Sequence, residues 1–283
     1  MRTFLQLSPF ATVEMPPRRA SGVPEPSHFQ KQQSLPTRHI QLQFKQRLLL
    51  SAASYFSCQP MPTALPDSFF HRDAQTLARE LLGKVIRHKV GELWLAARII
   101  ETEAYYCAEK GSHASLGYTE KRKALFLEGG HIYMYYARGG DSLNFSAEGP
   151  GNAVLIKSAY PWTDSVSDEN ALAQMQLNNP DASGAIRPPQ RLCAGQTLLC
   201  KALGLKVPMW DAKRFDPQKL LVEDVGQHPT RIIQTTRLGI PTGRDEHLMY
   251  RFVDADYARF CTRNPLRRGQ VEGRDYLLLD QGN

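Results

Sequence analysis

In the stretch RIIETEAYY, Arg98 to Tyr106, two glutamates precede a pair of tyrosines at the end of a run that otherwise has the composition of a buried strand. Alternate residues of an extended strand share a face. Counted back from Tyr105, that face carries Glu103, Glu101, Ile99, Ala97, Leu95 and Leu93, so the carboxylates continue an apolar stripe. An ionised carboxylate at the edge of a core is costly unless it is paired or hydrogen-bonded. Held in that way beside an aromatic wall, it has what a general base needs. Glu103, with Tyr105 two residues further on, is the candidate base. The alternative is that the strand emerges into solvent here and both acids are surface residues.

GHIYMYYA supplies a second aromatic surface, because Tyr133 and Tyr135 share one face of a strand and could oppose Tyr105 across a planar ligand. Two such walls with a carboxylate nearby suit a nucleobase, which stacks well and whose cleavage needs an activated water. Aromatic strands are also ordinary core, so spacing alone leaves both readings open. A hydrolytic metal held by Glu101, Glu103 and His113 is a further possibility, but that spacing matches no common metal motif.

The elements that must position these residues follow from the rest of the chain. Its 283 residues, 42% of them hydrophobic, are enough for one large packed domain. No apolar run approaches the roughly 18 residues of a membrane span, and the five scattered cysteines contain no C-x-x-C pair, which fits a reducing compartment. The net charge is +7, but residues 1–60 hold seven basic and two acidic residues, +5 of that total, which leaves +2 for the remainder. Residues 1–65, rich in Pro, Ser, Gln and Arg, read as a disordered basic extension. It is either dispensable, with Met61 as the true start, or a targeting segment; otherwise a cytoplasmic or nucleoid location is expected for a bacterial chain. RDAQTLARELLG predicts a helix capped by Asp73 and stopped by Gly83, and SDENALAQMQL and GQTLLCKALGL predict two more. KVIRHKV, ELWLAARIIETEAYY, GHIYMYYA, NAVLIKSAY, RIIQTTRLGI and LMYRFV read as strands. The order predicts a single α+β domain over residues 66–283, with helices around a curved, largely antiparallel sheet.

Five ordered blocks carry a resemblance: RIIETEAY, SHASLGYTEKRKALFLEGGHIYMYYARGG, LNFSAEGPGNAVLIKSAYP, RLCAGQTLLCKALGL and RLGI followed by LMYRFV. Together they resemble the alkyladenine, or 3-methyladenine, DNA glycosylases of the mammalian type. The resemblance implies a monofunctional enzyme with no metal or other cofactor, acting as a monomer on duplex DNA that contains damaged purines. Such bases are flipped out of the helix and released by water attack at the deoxyribose anomeric carbon. Carried over, Glu103 is the general base and Glu101 a supporting residue. Tyr105 and His113 form one side of the base pocket, Tyr135 the opposite face, and Asn144, in GGDSLN, crowds the amine of normal guanine. Two positions depart from the pattern. Lys157 replaces an arginine expected to support the backbone or the chemistry, without its planar fork. Arg138 falls where the duplex wedge is a tyrosine. The run Lys121, Arg122, Lys123 is either a phosphate contact or a solvated loop. A catalytically inactive damaged-DNA-binding module of the same fold would keep the aromatics without needing Glu103.

Overall fold

The computed structural model describes residues 62–137 and 139–280; the expectations for residues 1–61 and for Arg138 fall outside them. The folded part takes in Thr63 to Leu65, just ahead of the boundary expected at residue 66. Thr63 N–H donates to Glu223 Oε1 at 3.0 Å and Leu65 N–H to Val222 O at 2.8 Å. No described helix is long and apolar enough to cross a membrane.

Among the described residues nine strands form one sheet in which every strand pair is antiparallel: β1 Val85–Val90, β2 Leu93–Tyr105, β3 Ile132–Ala137, β4 Gly140–Ser146, β5 Ala153–Pro161, β6 Leu220–Glu223, β7 Arg231–Thr235, β8 Arg251–Asp254 and β9 Tyr276–Asp280. The order is β3-β4-β5-β2-β8-β7-β9, with β1 also on β2 and β6 on β1. Helices α1 Ala74–Glu80, α2 Glu169–Asn178 and α3 Gln196–Leu203 occupy the three stretches that the periodicity predicted. Asp73 caps α1, its carboxylate accepting from Gln75 and Thr76 N–H at 3.1 and 3.2 Å, an interaction worth about 1 kcal/mol. The same carboxylate accepts from Tyr106 O–H at 2.6 Å, tying the start of α1 to the end of β2.

β2 is the spine of the molecule, and it is not regular. Along one edge it pairs first with β1, through Arg98, and then with β8, from Glu101; along the other it pairs with β5. Where the partner changes, the register against β5 shifts, between Ile99 and Glu101 and again between Glu101 and Thr102. A bulge of this kind reverses which face successive residues occupy. Before it, Leu95, Ala97 and Ile99 pack into the main core with Leu77 and Ala78 of α1 and Leu81 just past its end. After it, Thr102 and Ala104 take that side: Thr102 Oγ1 donates to Ala78 O at 2.8 Å and Ala104 joins the same cluster. The predicted single stripe from Leu93 to Tyr105 is therefore broken, and Glu101, Glu103 and Tyr105 lie on the face opposite Ile99. Neither glutamate emerges into solvent, since both are fully buried.

Candidate active site

Glu103 sits in a row of directly paired residues that crosses five strands: Arg251 of β8, Glu103 of β2, Leu155 of β5, Asn144 of β4 and Tyr133 of β3. Directly paired residues share a face, so the row carries the carboxylate, an amide and an aromatic ring along one surface. Over it lies a cleft of about 880 Å³ walled by Tyr105, His113, Tyr133, Tyr135, Asn144 and Lys157, among others. Ala194 to Leu198 at the start of α3, the loop Leu238 to Pro241, and Thr262 with Arg263 also line it. Elements that are remote in sequence thus close on the residues singled out from β2 and β3.

The Glu103 carboxylate has no solvent contact and three donors. Tyr105 O–H donates to Oε2 at 2.7 Å, Leu238 N–H to Oε1 at 2.9 Å, and Lys157 Nζ lies 3.4 Å from both oxygens. Each donor belongs to a residue that lines the cleft, so the carboxylate lies immediately behind the wall. Burial, reinforced by the adjacent Glu103 charge and hydrogen bond, pushes the Tyr105 phenol well above its usual range. Tyr105 therefore stays protonated and donating. Its ring stacks on the buried Arg237 guanidinium at 4.5 Å. Arg237 also donates to Ala104 O at 3.0 Å and forms an ion pair with Glu109. Arg237 immediately precedes Leu238, so one buried cation fixes both the phenol and the loop that hold Glu103.

His113 opens a 3₁₀ turn, His113–Leu116, capped by the Ser112 side chain. Its Nδ1 lies 3.0 Å from Tyr133 Oη. Partial desolvation of its ring, in a residue that is otherwise exposed, and then the charges of Arg122 and Arg244, hold it below the usual histidine pKa, so it faces the cleft as a neutral aromatic. Tyr133 and Tyr135 stack on each other at 5.4 Å. The His113 and Tyr135 rings are 4.5 Å apart and inclined at 68°. A flat base gripped between two rings needs about 7 Å, two van der Waals contacts. These two rings stand closed on each other, with no room for a flat ring between them.

Asn144 lies within β4. Its amide donates to Tyr133 O at 3.1 Å, and the residue is buried at the cleft wall. Lys157 is against Glu103 rather than at an outer surface. Of the basic run, Lys121 and Lys123 are exposed, whereas Arg122 donates to the carbonyls of Gly117 and Leu116. The run lies in a 3₁₀ helix, Glu120–Phe126, not in a loop. Glu101 accepts from Arg251, Ser158 and Thr262 N–H. Among the described residues no three of His, Cys, Asp and Glu are grouped so as to hold a metal ion. The residues that reasoning from sequence missed are Arg237, Leu238, Arg251 and Thr262. The first two fall inside the RLGI block, which marks the segment but not its contact with Glu103.

A dry, multiply held carboxylate lies behind a cleft of aromatic side chains on a single antiparallel sheet, a site that suits a hydrolase. The sequence pattern of the methylpurine-DNA glycosylase family (MPG) matches residues 68–258. A Pseudomonas savastanoi pv. phaseolicola protein is 92% identical over 223 residues, 79% of this chain and 100% of its own length. A Pseudomonas aeruginosa protein is 76% identical over 222 residues, 78% of this chain and 93% of its own. A more distant relative from Methanoculleus marisnigri is 28% identical over 206 residues, 68% of this chain and 97% of its own. All three carry the provisional name 3-methyladenine DNA glycosylase. The chain belongs to the methylpurine-DNA glycosylase family.

Proposed function

We propose that this enzyme excises alkylated or deaminated purines, extruded from duplex DNA into the cleft, by water attack at the anomeric carbon with Glu103 as the base. The observation that carries this reading is the state of Glu103: fully buried, held by donors on both oxygens, and separated from the cleft only by the residues that hold it. A carboxylate offers about four acceptor sites. Three donors leave one for a water arriving from the cleft, with the Lys157 ammonium beside it to orient the same water. As the water oxygen bonds to the anomeric carbon, its proton passes to Glu103 and the electrons of the broken C–N bond leave with the base. A purine alkylated on a ring nitrogen carries positive charge and leaves readily, which favours damaged over normal bases before any contact selects them. His113 and Tyr105 form one side of the base pocket and Tyr135 the other. Asn144, fixed to the Tyr133 carbonyl, stands where the amine of an undamaged guanine would collide. The reading puts Glu103, Lys157, His113, Tyr105, Tyr135 and Asn144 to work within a single copy of the chain, acting as a monomer.

The test is incubation of the full chain with duplex oligonucleotides carrying a single 7-methylguanine, hypoxanthine or ethenoadenine, scoring free base by chromatography. Release from at least one is expected. Absence of release from all three refutes the proposal.

A further inference from the structure

Three cationic side chains stand on the cleft wall: Lys157, Arg244 and Arg263. Two are committed within the protein. Lys157 pairs with Glu103, and Arg244 donates from Nε at 2.8 Å, and from Nη2, to Lys110 O. Among the described residues the Arg263 guanidinium has no hydrogen-bond or ion-pair partner, and the residue is exposed at the mouth of the cleft.

The backbone beneath that side chain is held firmly. Thr262 N–H donates to Glu101 Oε2 at 3.1 Å, Thr262 Oγ1 lies 3.1 Å from Ser158 Oγ, and Arg251 Nη2 donates to Arg263 O at 2.6 Å. Arg251 itself donates from Nε to Glu101 Oε1 at 2.6 Å, with the two side chains 3% and 0% exposed. Cys261 Sγ reaches toward Ile100 O at 3.9 Å. All these contacts converge on the bulge of β2. The irregularity that turns Glu103 toward the cleft also puts Glu101 on that face, where it anchors the segment that carries Arg263 through Thr262 and Arg251.

We propose that Arg263 is a DNA-phosphate contact at the extruded nucleotide, its position set by the Glu101–Arg251 pair. The proposal rests on the reading of the cleft as the seat of that nucleotide. A cation at the rim, with a fixed backbone and unused donors, matches a phosphate flanking a base that has entered the cleft. Arg263 lies beyond the residues matched by the family pattern, which end at 258, so membership alone does not assign it a role.

The test is the salt dependence of binding to a lesion-bearing duplex, read by fluorescence anisotropy with the full chain. Each phosphate contact contributes about 0.9 to the slope of log K against log salt. Arg263→Gln is expected to lower the slope by that amount, so that its affinity falls ~3-fold less than that of the wild type between about 50 and 200 mM salt. Arg263→Lys keeps the charge and should keep most of the slope. Lys89→Gln removes the same charge from an exposed site at the end of β1, outside the cleft, and should leave the slope unchanged. An unaltered slope in Arg263→Gln, or an equal fall in Lys89→Gln, overturns the contact. Because the slope comes from binding alone, it is read whether or not base is released. Binding that depends on Arg263 without base release would refute the excision and leave the contact standing; release with an Arg263-independent slope would do the reverse.

Discussion

Glu103→Gln keeps the shape of the side chain and removes the base, and the geometry fixes what else it removes. The glutamine oxygen can retain Leu238 N–H, leaving the amide nitrogen to face Tyr105 and Lys157. Tyr105 can rotate its hydroxyl hydrogen and accept; an ammonium has only donors and cannot. The cost therefore falls on Lys157. At 3.4 Å its attraction to the carboxylate is about 5 kcal/mol for an effective dielectric of about 20, and stranding one member of a buried pair costs about 3–5 kcal/mol. The Lys157 side chain is 11% exposed at the cleft wall, so hydration recovers part of this, and we expect a net loss of about 2–3 kcal/mol. Urea unfolding measures it, and Lys157→Met in the Glu103→Gln background should restore most of it. Single-turnover base release should fall by about 10²–10⁴, the range supplied by a positioned general base, while binding to the lesion duplex persists. Release within about tenfold of the wild type would refute the role of Glu103. A loss of stability that persists undiminished with Met at 157 would refute the electrostatic account of the pair.

Three further outcomes are expected. Arg237→Gln leaves Glu109 without its buried cation and should cost about 3 kcal/mol at neutral pH by urea unfolding. Burial already raises the Glu109 carboxyl pKa and Arg237 opposes that shift, so the penalty should shrink on acidification as Glu109 takes up a proton. His113 is held below its usual pKa by partial desolvation, Arg122 and Arg244. As pH falls below about 6.5 the unfolded chain gains a proton that the folded one refuses, and stability drops. Thermal melts from pH 7 to 5 should show a shallower fall in His113→Phe, with a remainder from His88, which is shifted the same way by burial. Gly151 has φ +82°, and a Cβ there would meet the Cys107 side chain at 2.8 Å and Ala114 Cβ at 2.9 Å. Gly151→Ala should cost about 1–3 kcal/mol by urea unfolding, and it should weaken lesion binding by pushing on the turn that carries His113.

What could be read from sequence divides by the range of the interactions that set it. The Asp73 cap and the Gly204 stop of α3, at φ +71°, are local chemistry, and both stand where the residues placed them. The extent of β2 was equally legible, but not its faces. Alternation assumes an unbroken register, and this register breaks where β2 exchanges β1 for β8, a tertiary event. Glu101, Glu103 and Tyr105 keep their mutual parity because the extra residue of β2, Ile100, precedes all three and the second shift skips Lys157 of β5 instead; only their link to Ile99 fails. β4 was missed because Gly140, Asp141, Ser142 and Asn144 have turn composition. Pairing with β3 on one edge and β5 on the other makes a strand of them and sets Asn144 in the row that runs to Glu103. Leu238 reaches Glu103 from 135 residues away, through a backbone N–H that any residue except proline possesses, so its identity carries no trace of the contact. The same bulge explains why the carboxylates lie in the driest part of the strand. A regular β2 would have turned them into the core against α1, among groups with no donors to offer. The bulge sends Thr102 and Ala104 there instead and gives each glutamate a set of donors on the other face.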